Sequence, residues 1–518
     1  GSGPVRFAVP LGGLIRLRSA SSAAGARGEV ATGSFGQVLA NASYATQLSN
    51  SRYRLRIGGI SGPFDYRYFD DGGTNFTDVD DSVRRRENNR QRRVSVRLGS
   101  EFDRENGSFE AWSWVLGRDQ QVPGPGSARG VQARSKDVQA LTRLARSKLR
   151  FGPSSLSVGT DLLVAQRQLE DPGATLGLGT QESRQRLFQL ALDGRWQYRI
   201  TGAHRLEWAT RASAYRYRIT SESGLLLDEL GQDRDSLALG SGIEWRSVLA
   251  DGLTLFGRLR FDGERLSSDT LSALSPSLGA TWVLGPCLLR GLIGRRHRLP
   301  TLLERFGDNV LTVANPSLAE ETALSADLGT RCAGELGSLS FTGFTLSARD
   351  LIVLVQNSQR SVRAENIGRA RVSGVEALAT ISAGPASARI AYTLSDAVDT
   401  AAEAELPGIP THRAHLTLEY QWRTFRVGWV SDFASARALA RDGLNRVPSR
   451  LLHDAYIRWG WNEVLELNAS AFNLTNTIRN TLDVPGAAEP VIAGLSDFLS
   501  YPLAGRTLFL GLTIRSKA

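Results

Sequence analysis

"LTLEYQWRTFRVGWVS", residues 416–431, alternates apolar and polar side chains on both sides of Arg423-Thr424. Leu416, Leu418, Tyr420 and Trp422 fall between Thr417, Glu419 and Gln421, and Phe425, Val427 and Trp429 resume the stripe around Arg426 and Gly428. Successive strand side chains point to opposite faces, so the pattern is that of a β-hairpin. A two-residue turn pairs Trp422 with Phe425, Tyr420 with Val427 and Leu418 with Trp429 on one face. Gln421 and Arg426 then lie on the other. One layer of a soluble sandwich core would look the same, so the rest of the chain must say which solvent each face meets.

The alternation recurs along the whole chain. Leu255, Gly257, Leu259 and Phe261 form one stripe, Ala388, Ile390, Tyr392 and Leu394 another, and Leu508, Leu510, Leu512 and Ile514 a late one. The connections are of two kinds. Short, turn-like links occur at 50–51, 103–107, 151–153, 201–203, 250–252, 285–286, 334–337, 384–385, 423–424 and 461–463. Long polar ones span 61–91, 118–135, 171–184, 221–234, 299–322, 355–369, 399–411, 439–450 and 479–501. Strands longer than the five or six residues usual in globular sheets, joined by alternating short and long links, predict an all-β transmembrane antiparallel up-and-down β-barrel of about 22 strands. A propeller would repeat every 40–50 residues or so, and no such repeat is visible. In this scheme the apolar stripe of 416–429 faces lipid, its polar partners face a wet lumen, and Trp422 and Phe425 join an aromatic girdle.

Composition agrees. The 518 residues are 41% hydrophobic with mean hydropathy −0.20, and no apolar run nears the roughly 18 residues of a spanning helix. Net charge is +10, carried almost wholly by arginine. The one dense basic run, "RRRENNRQRR" at 84–93, follows the acidic "DDGGTNFTDVDD" at 70–81; together they read as a mixed-charge loop and not as a nucleic-acid surface. The acidic stretch lacks the ligand spacing of a calcium loop.

Several segments in the C-terminal half resemble the TonB-dependent outer-membrane receptors, and their order and spacing carry the likeness. "HRLPTLLERFG" (297–307) is similar to a family stretch at Arg298, Pro300 and Thr301. "NPSLAEET" (315–322) is similar at Asn315, Pro316, Leu318 and Glu321. "ENIGRARVSGVEA" (365–377) matches at Gly374 and Glu376, "AFNLTN" (471–476) at Asn473 and Asn476, and "YPLAGRTLFLGL" (501–512) at Gly505 and Arg506. "VPLGGLIRLRS" (9–19) and "GEVATGSFG" (28–36) resemble the last strand of the family's plug running into the first barrel strand. The resemblance therefore implies a plug remnant at 1–27 and an outer-membrane barrel at 28–518. Where family members commonly finish on an aromatic residue, this chain ends "TIRSKA".

The strand scheme puts Cys287 just after one short turn and Cys332 just before the next, on neighbouring antiparallel strands at the periplasmic rim. A disulfide between them is expected in an oxidising compartment, whereas a one-residue register slip would leave two thiols on opposite faces. Arg84, Arg85 and Arg86 in the basic run, and Arg258, Arg260 and Arg426 on the lumen face, are candidates to attract an anionic solute; the alternative is pairing with carboxylates across the sheet. His412 and His415 are three apart and so on opposite faces of a strand. No catalytic constellation, metal site or cofactor motif is present in the sequence pattern.

The resemblance implies the barrel of a transporter in the outer membrane of a Gram-negative bacterium, with its long loops extracellular. It would take up a scarce, large solute, energised by a TonB-type coupling protein acting through the plug. The plug would be supplied by another polypeptide or by an N-terminal segment outside these residues. A passive channel or secretion conduit without a plug, and an adhesive surface barrel, are the competing classes.

Overall fold

The computed structural model describes residues 24–72, 79–124, 126, 128, 130–175, 181–221, 233–266, 269–307, 312–356, 362–439, 443, 446–483, 489–497 and 501–516. Most of the predicted plug remnant (1–23) and the middle of the acidic stretch (73–78) lie outside them.

Wall strands run from Gly25–Gly33 and Gln37–Leu48 round to Leu465–Phe472 and Thr507–Arg515, each antiparallel to the next. The last strand returns to the first, with Val30 opposite Leu512, so the sheet has no free edge. Two two-residue pieces, Thr312–Val313 and Ala404–Glu405, attach to the rim, and the remaining 22 strands close the barrel.

The hairpin His412–Trp422/Phe425–Ala434 has the register read from its sequence: Trp422 opposite Phe425, Tyr420 opposite Val427, Leu418 opposite Trp429. Its apolar face points outward, and Leu418, Tyr420, Trp422 and Val427 are all exposed. The same holds round the ring, where Leu192, Leu328 and Leu510 are 59%, 67% and 65% exposed. A continuous belt of exposed leucine and valine would drive aggregation in water; against hydrocarbon it is the matched surface. At the short-turn end Phe425 stacks on Trp422 and Trp459 (ring centroids 5.9 and 5.5 Å apart), and Trp461 lies tilted against Trp459 at 4.9 Å. This is the interfacial aromatic cluster that the pattern predicts.

All ten short links occur as turns at one end. At the other end the sequence reading needs correction. The stretch 355–369 is mostly wall and not loop: Gly337–Gln356 and Val362–Ala383 are strands of 20 and 22 residues, far beyond the roughly 9–11 that cross a bilayer. Their upper parts are held by packing, with Ala323, Ala348 and Ala370 buried against Leu406. Two tight long-end connections also escaped the reading. Ser34–Gly36 is a single turn with Phe35 at φ 61°, and Leu253–Leu266 gives way to Thr270–Leu284 within three residues. Each is only three residues long, too short to stand out from the strands on either side.

Aromatic residues on the inner face cover glycines on the adjoining strand. Tyr456 lies over Gly428, Phe256 over Gly279 and Phe344 over Gly374; a Cβ at these glycines would sit 2.2, 2.4 and 2.8 Å from the rings. Glycine there lets a bulky ring lie flat on the wall. Among the described residues the only α-helix is Leu302–Phe306, and no helix is long and apolar enough to cross a membrane.

Candidate functional site

The inner face of the wall is a ladder of arginine–carboxylate pairs. Arg143 reaches Asp161 and Asp193, each at 2.8 Å, and Arg211 reaches the same two at 2.6 and 3.6 Å. The pairing follows from register, since Asp161 stands opposite Arg143 and Asp193 opposite Arg211. Two of the three lumen arginines expected to face solute, Arg258 and Arg260, join this ladder, and Arg426 bonds a glutamine amide instead. Arg258 donates to Glu244 (Nε–Oε2 3.0 Å), its cross-strand neighbour. Arg260 donates to Asp262 at 2.5 Å, and Asp262 also meets His297 Nε2 at 3.0 Å. Arg426 donates to Gln421 Oε1 at 2.9 Å.

At the long-loop end the described loops interlock into a layer. Tyr66 Oη donates to the Pro502 carbonyl at 2.6 Å, and Arg479 lies 5.1 Å from the Phe69 ring. Asn480 Nδ2 donates to the Ser449 carbonyl at 2.7 Å. The basic run is divided by this layer. Arg86 is buried, lies over the Tyr68 and Tyr501 rings at 5.7 and 5.5 Å, and donates to the Gly124 carbonyl. Arg84 pairs with Asp70 at 2.9 Å and Arg85 with Asp65 at 3.2 Å, and both remain open to solvent. Burial pushes the Tyr66 and Tyr501 phenols above their ordinary value, as expected for rings packed inside a layer.

The family-motif positions gather into three groups, of which the first and third fasten loops to wall and the second packs one wall strand on the next. In the first, Arg298 forks between Glu304 (2.8 Å) and Glu321 (2.7 Å), and buried Glu321 also accepts from Ile352 N at 2.7 Å. Thr301 caps the Leu302–Phe306 turn, with Glu304 reaching back to its N–H, and Pro300 is buried beside it. Asn315 Nδ2 donates to the Ala364 carbonyl at 2.7 Å, and the Pro316 carbonyl accepts from Arg305 at 3.2 Å. In the second, Gly374 makes room for Phe344, while Glu376 is exposed two residues on. In the third, Asn473 accepts from Thr477 N at 2.9 Å and donates to the Thr477 and Ala504 carbonyls. Asn476 Oδ1 accepts from Arg506 N at 2.8 Å and sits where a Cβ on Gly505 would be. Residues thirty positions apart thus tie the start of the last long loop to its end.

Cys287 and Cys332 stand directly opposite each other and are joined as a disulfide near the short turns. His412 bonds Tyr392 Oη at 2.8 Å, while His415 turns inward towards Asp432 at 3.6 Å. Among the described residues no three His, Cys, Asp or Glu side chains gather as metal ligands.

Sequence reading missed one group. Arg413 and Arg450 both approach the carboxylate of Asp432, at 4.0 and 3.5 Å, from the strands on either side of it at the top of the inner wall. No local pattern marks them.

The fold is that of known transporters. The FrpB iron transporter from Neisseria meningitidis superposes with a TM-score of 0.74 at 15% identity, covering 96% of this chain and 82% of that one. The copper transporter OprC gives 0.74 at 15% identity, covering 95% and 80%. The ferric citrate transporter FecA gives 0.74 at 15% identity, covering 100% and 82%. No curated protein matches the chain. The family model described as TonB dependent receptor-like, beta-barrel matches residues 32–474, taking in almost every wall strand and the whole Arg298 bracket. On that match, and with the closed 22-strand wall it describes, the chain belongs to the β-barrels of the TonB-dependent receptors, an outer-membrane family of transporters and not of enzymes.

Proposed function

We propose that this barrel is the conduit of an energised importer, with its long loops outside a Gram-negative cell and its short turns in the periplasm. It takes up a scarce solute too large for porins, and the metal complexes named for the structural neighbours are the first class to try. A plug polypeptide or an N-terminal plug segment supplies the gate, residues 1–27 being the plug's last strand and its linker. A TonB-type protein acts on that plug, and lipid of the outer membrane surrounds the wall.

One observation carries this reading: the inner wall is lined with arginine–carboxylate pairs, and loops at its long-loop end bond to one another. A polar, rigid wall of this kind suits a folded plug sliding or unfolding beside it, and a barrel of this strand number encloses a wide lumen. The test is conductance of the 518-residue chain in a planar bilayer, alone and with any polypeptide that co-purifies. A large steady conductance abolished by such a partner supports a gate supplied in trans. A large conductance that nothing closes favours the passive channel. A closed barrel on its own means that this chain blocks its own lumen.

A further inference from the structure

The sulfurs of the disulfide belong to the outer face of the wall. Directly opposed residues on neighbouring strands share a face, and Leu284, Cys287, Cys332 and Leu339 oppose one another in turn across four strands. Leu284 and Leu339 are exposed on the outer surface, as are Trp282 and Phe341 two residues further from the turns. Leu328, in the same stripe four residues above Cys332, is one of the bare leucines of the belt. The residues between them face inward, where Asp327 lies 3.9 Å from Arg296. The bond therefore carries the lipid-facing stripe down to the short turns, with a leucine on either side of it.

Connectivity adds a second observation. Strands Cys287–Arg298 and Glu321–Gly334 are joined through the long-loop end, and their short turns lead away to other strands. At the short-turn end the disulfide is the one covalent link between them. Ladder hydrogen bonds alone would allow slippage, and a slip of one residue turns one sulfur into the lumen.

Thiol–disulfide exchange needs a thiolate and an unobstructed approach to sulfur, and apolar surroundings disfavour the thiolate. Once the wall is in the membrane, lipid covers the outer side of both cysteines and the sheet covers the inner side. We propose that the Cys287–Cys332 bond is made on the unassembled chain in the periplasm, by a partner of the dithiol–disulfide oxidoreductase class, and is then sealed at the lipid boundary. One cysteine thiolate attacks the partner's disulfide to give a mixed disulfide, and the other thiolate displaces the partner. The two thiols of the chain are oxidised with loss of two protons, and the partner leaves as a dithiol. Oxidation thus precedes insertion and delivers the two strands to the membrane in register. This order rests on the reading of the short turns as periplasmic and of the belt as lipid-facing.

The test compares two cysteine pairs on the full chain in lipid nanodiscs, where reagents reach both membrane faces. One is the native pair. The other is Leu288→Cys with Arg331→Cys in a Cys287→Ser, Cys332→Ser background; these positions oppose each other one step along the same strands, on the lumen face. Each chain is refolded reduced into nanodiscs and given oxidised glutathione, and each is given it unfolded in urea as well. Gel shift after alkylation of the remaining thiols reads the bond. Both chains should oxidise in urea, whereas after insertion the native pair should lag the lumen pair by about tenfold or more. A native bond formed beforehand should resist a charged phosphine reductant in nanodiscs and yield to it in urea. Equal oxidation rates for the two inserted pairs, or ready reduction of the native bond in nanodiscs, overturns the proposal. Heat-modifiable migration on gels shows that each chain is a closed barrel, and should the lumen pair not fold, the reductant experiment on the native chain decides alone. A partner-gated conductance with an accessible disulfide would leave the transporter reading intact and refute only the order; a sealed disulfide in a barrel that no partner closes would do the reverse.

Discussion

Glu304 shows how single side chains bind loop to wall. Burial pushes its carboxyl up, but the Arg298 guanidinium and the Thr301 N–H outweigh burial and hold it below its usual 4.5. A depressed carboxylate stabilises the fold above its unfolded value, and that contribution is lost as pH falls through the lower folded value. Protection of the amides in 299–307, taken as exchange relative to the intrinsic rate at each pH, is therefore expected to be high at neutral pH and to fall below about pH 4.5. In Glu304→Gln protection should be lower throughout and nearly flat with pH; an unchanged profile would mean that the bracket does not hold the loop. Gly374 is tested by size. A side chain there meets the Leu394 carbonyl at 2.1 Å and the Phe344 ring at 2.8 Å, whereas Gly343 has nothing within 4 Å. Gly374→Leu should cost about 1–3 kcal/mol in urea unfolding from lipid vesicles, and Gly343→Ala little. The motif residues were legible in the sequence as a resemblance, but their task was not. Asn473 and Gly505 become one bracket only when the wall brings them together.

At the scale of elements, the hairpin register follows from its side-chain alternation, because a one-residue slip would turn every apolar group into the lumen. The disulfide follows from the same register, with Cys287 opposite Cys332 across a 45-residue separation. Closing a loop of that size is worth about 2–4 kcal/mol in the unfolded-chain picture. Reduction, or Cys287→Ser with Cys332→Ser, should lower the temperature at which the barrel opens on heated gels without preventing closure, since the strands on either side keep their ladder hydrogen bonds. The long strands Gly337–Gln356 and Val362–Ala383 were read short. Above the bilayer both faces of a strand meet water or loops, so the alternation that marks a membrane strand fades there.

For the whole molecule, the outward belt is the decisive surface. Leu510, 65% exposed beside the seam where the last strand meets the first, should face hydrocarbon. Leu510→Arg is expected to cost about 2–4 kcal/mol if it lies near the midplane and to slow insertion into vesicles. Thr513→Arg, on the buried inner side of the same strand, would fail for a different reason, by crowding the lumen wall. Equal insertion of wild type and Leu510→Arg would mean that this face does not meet lipid.

The sequence alone determined the class of fold, the ten short turns, the outward stripe and the cysteine pair, because each depends on contacts between neighbours along a strand or across one turn. The brackets at the mouth and the sharing of Asp432 by Arg413 and Arg450 were decided only by tertiary structure. They join segments whose separation in the chain leaves no periodic trace, and whether an arginine is paired or left bare depends on which strand the barrel sets beside it.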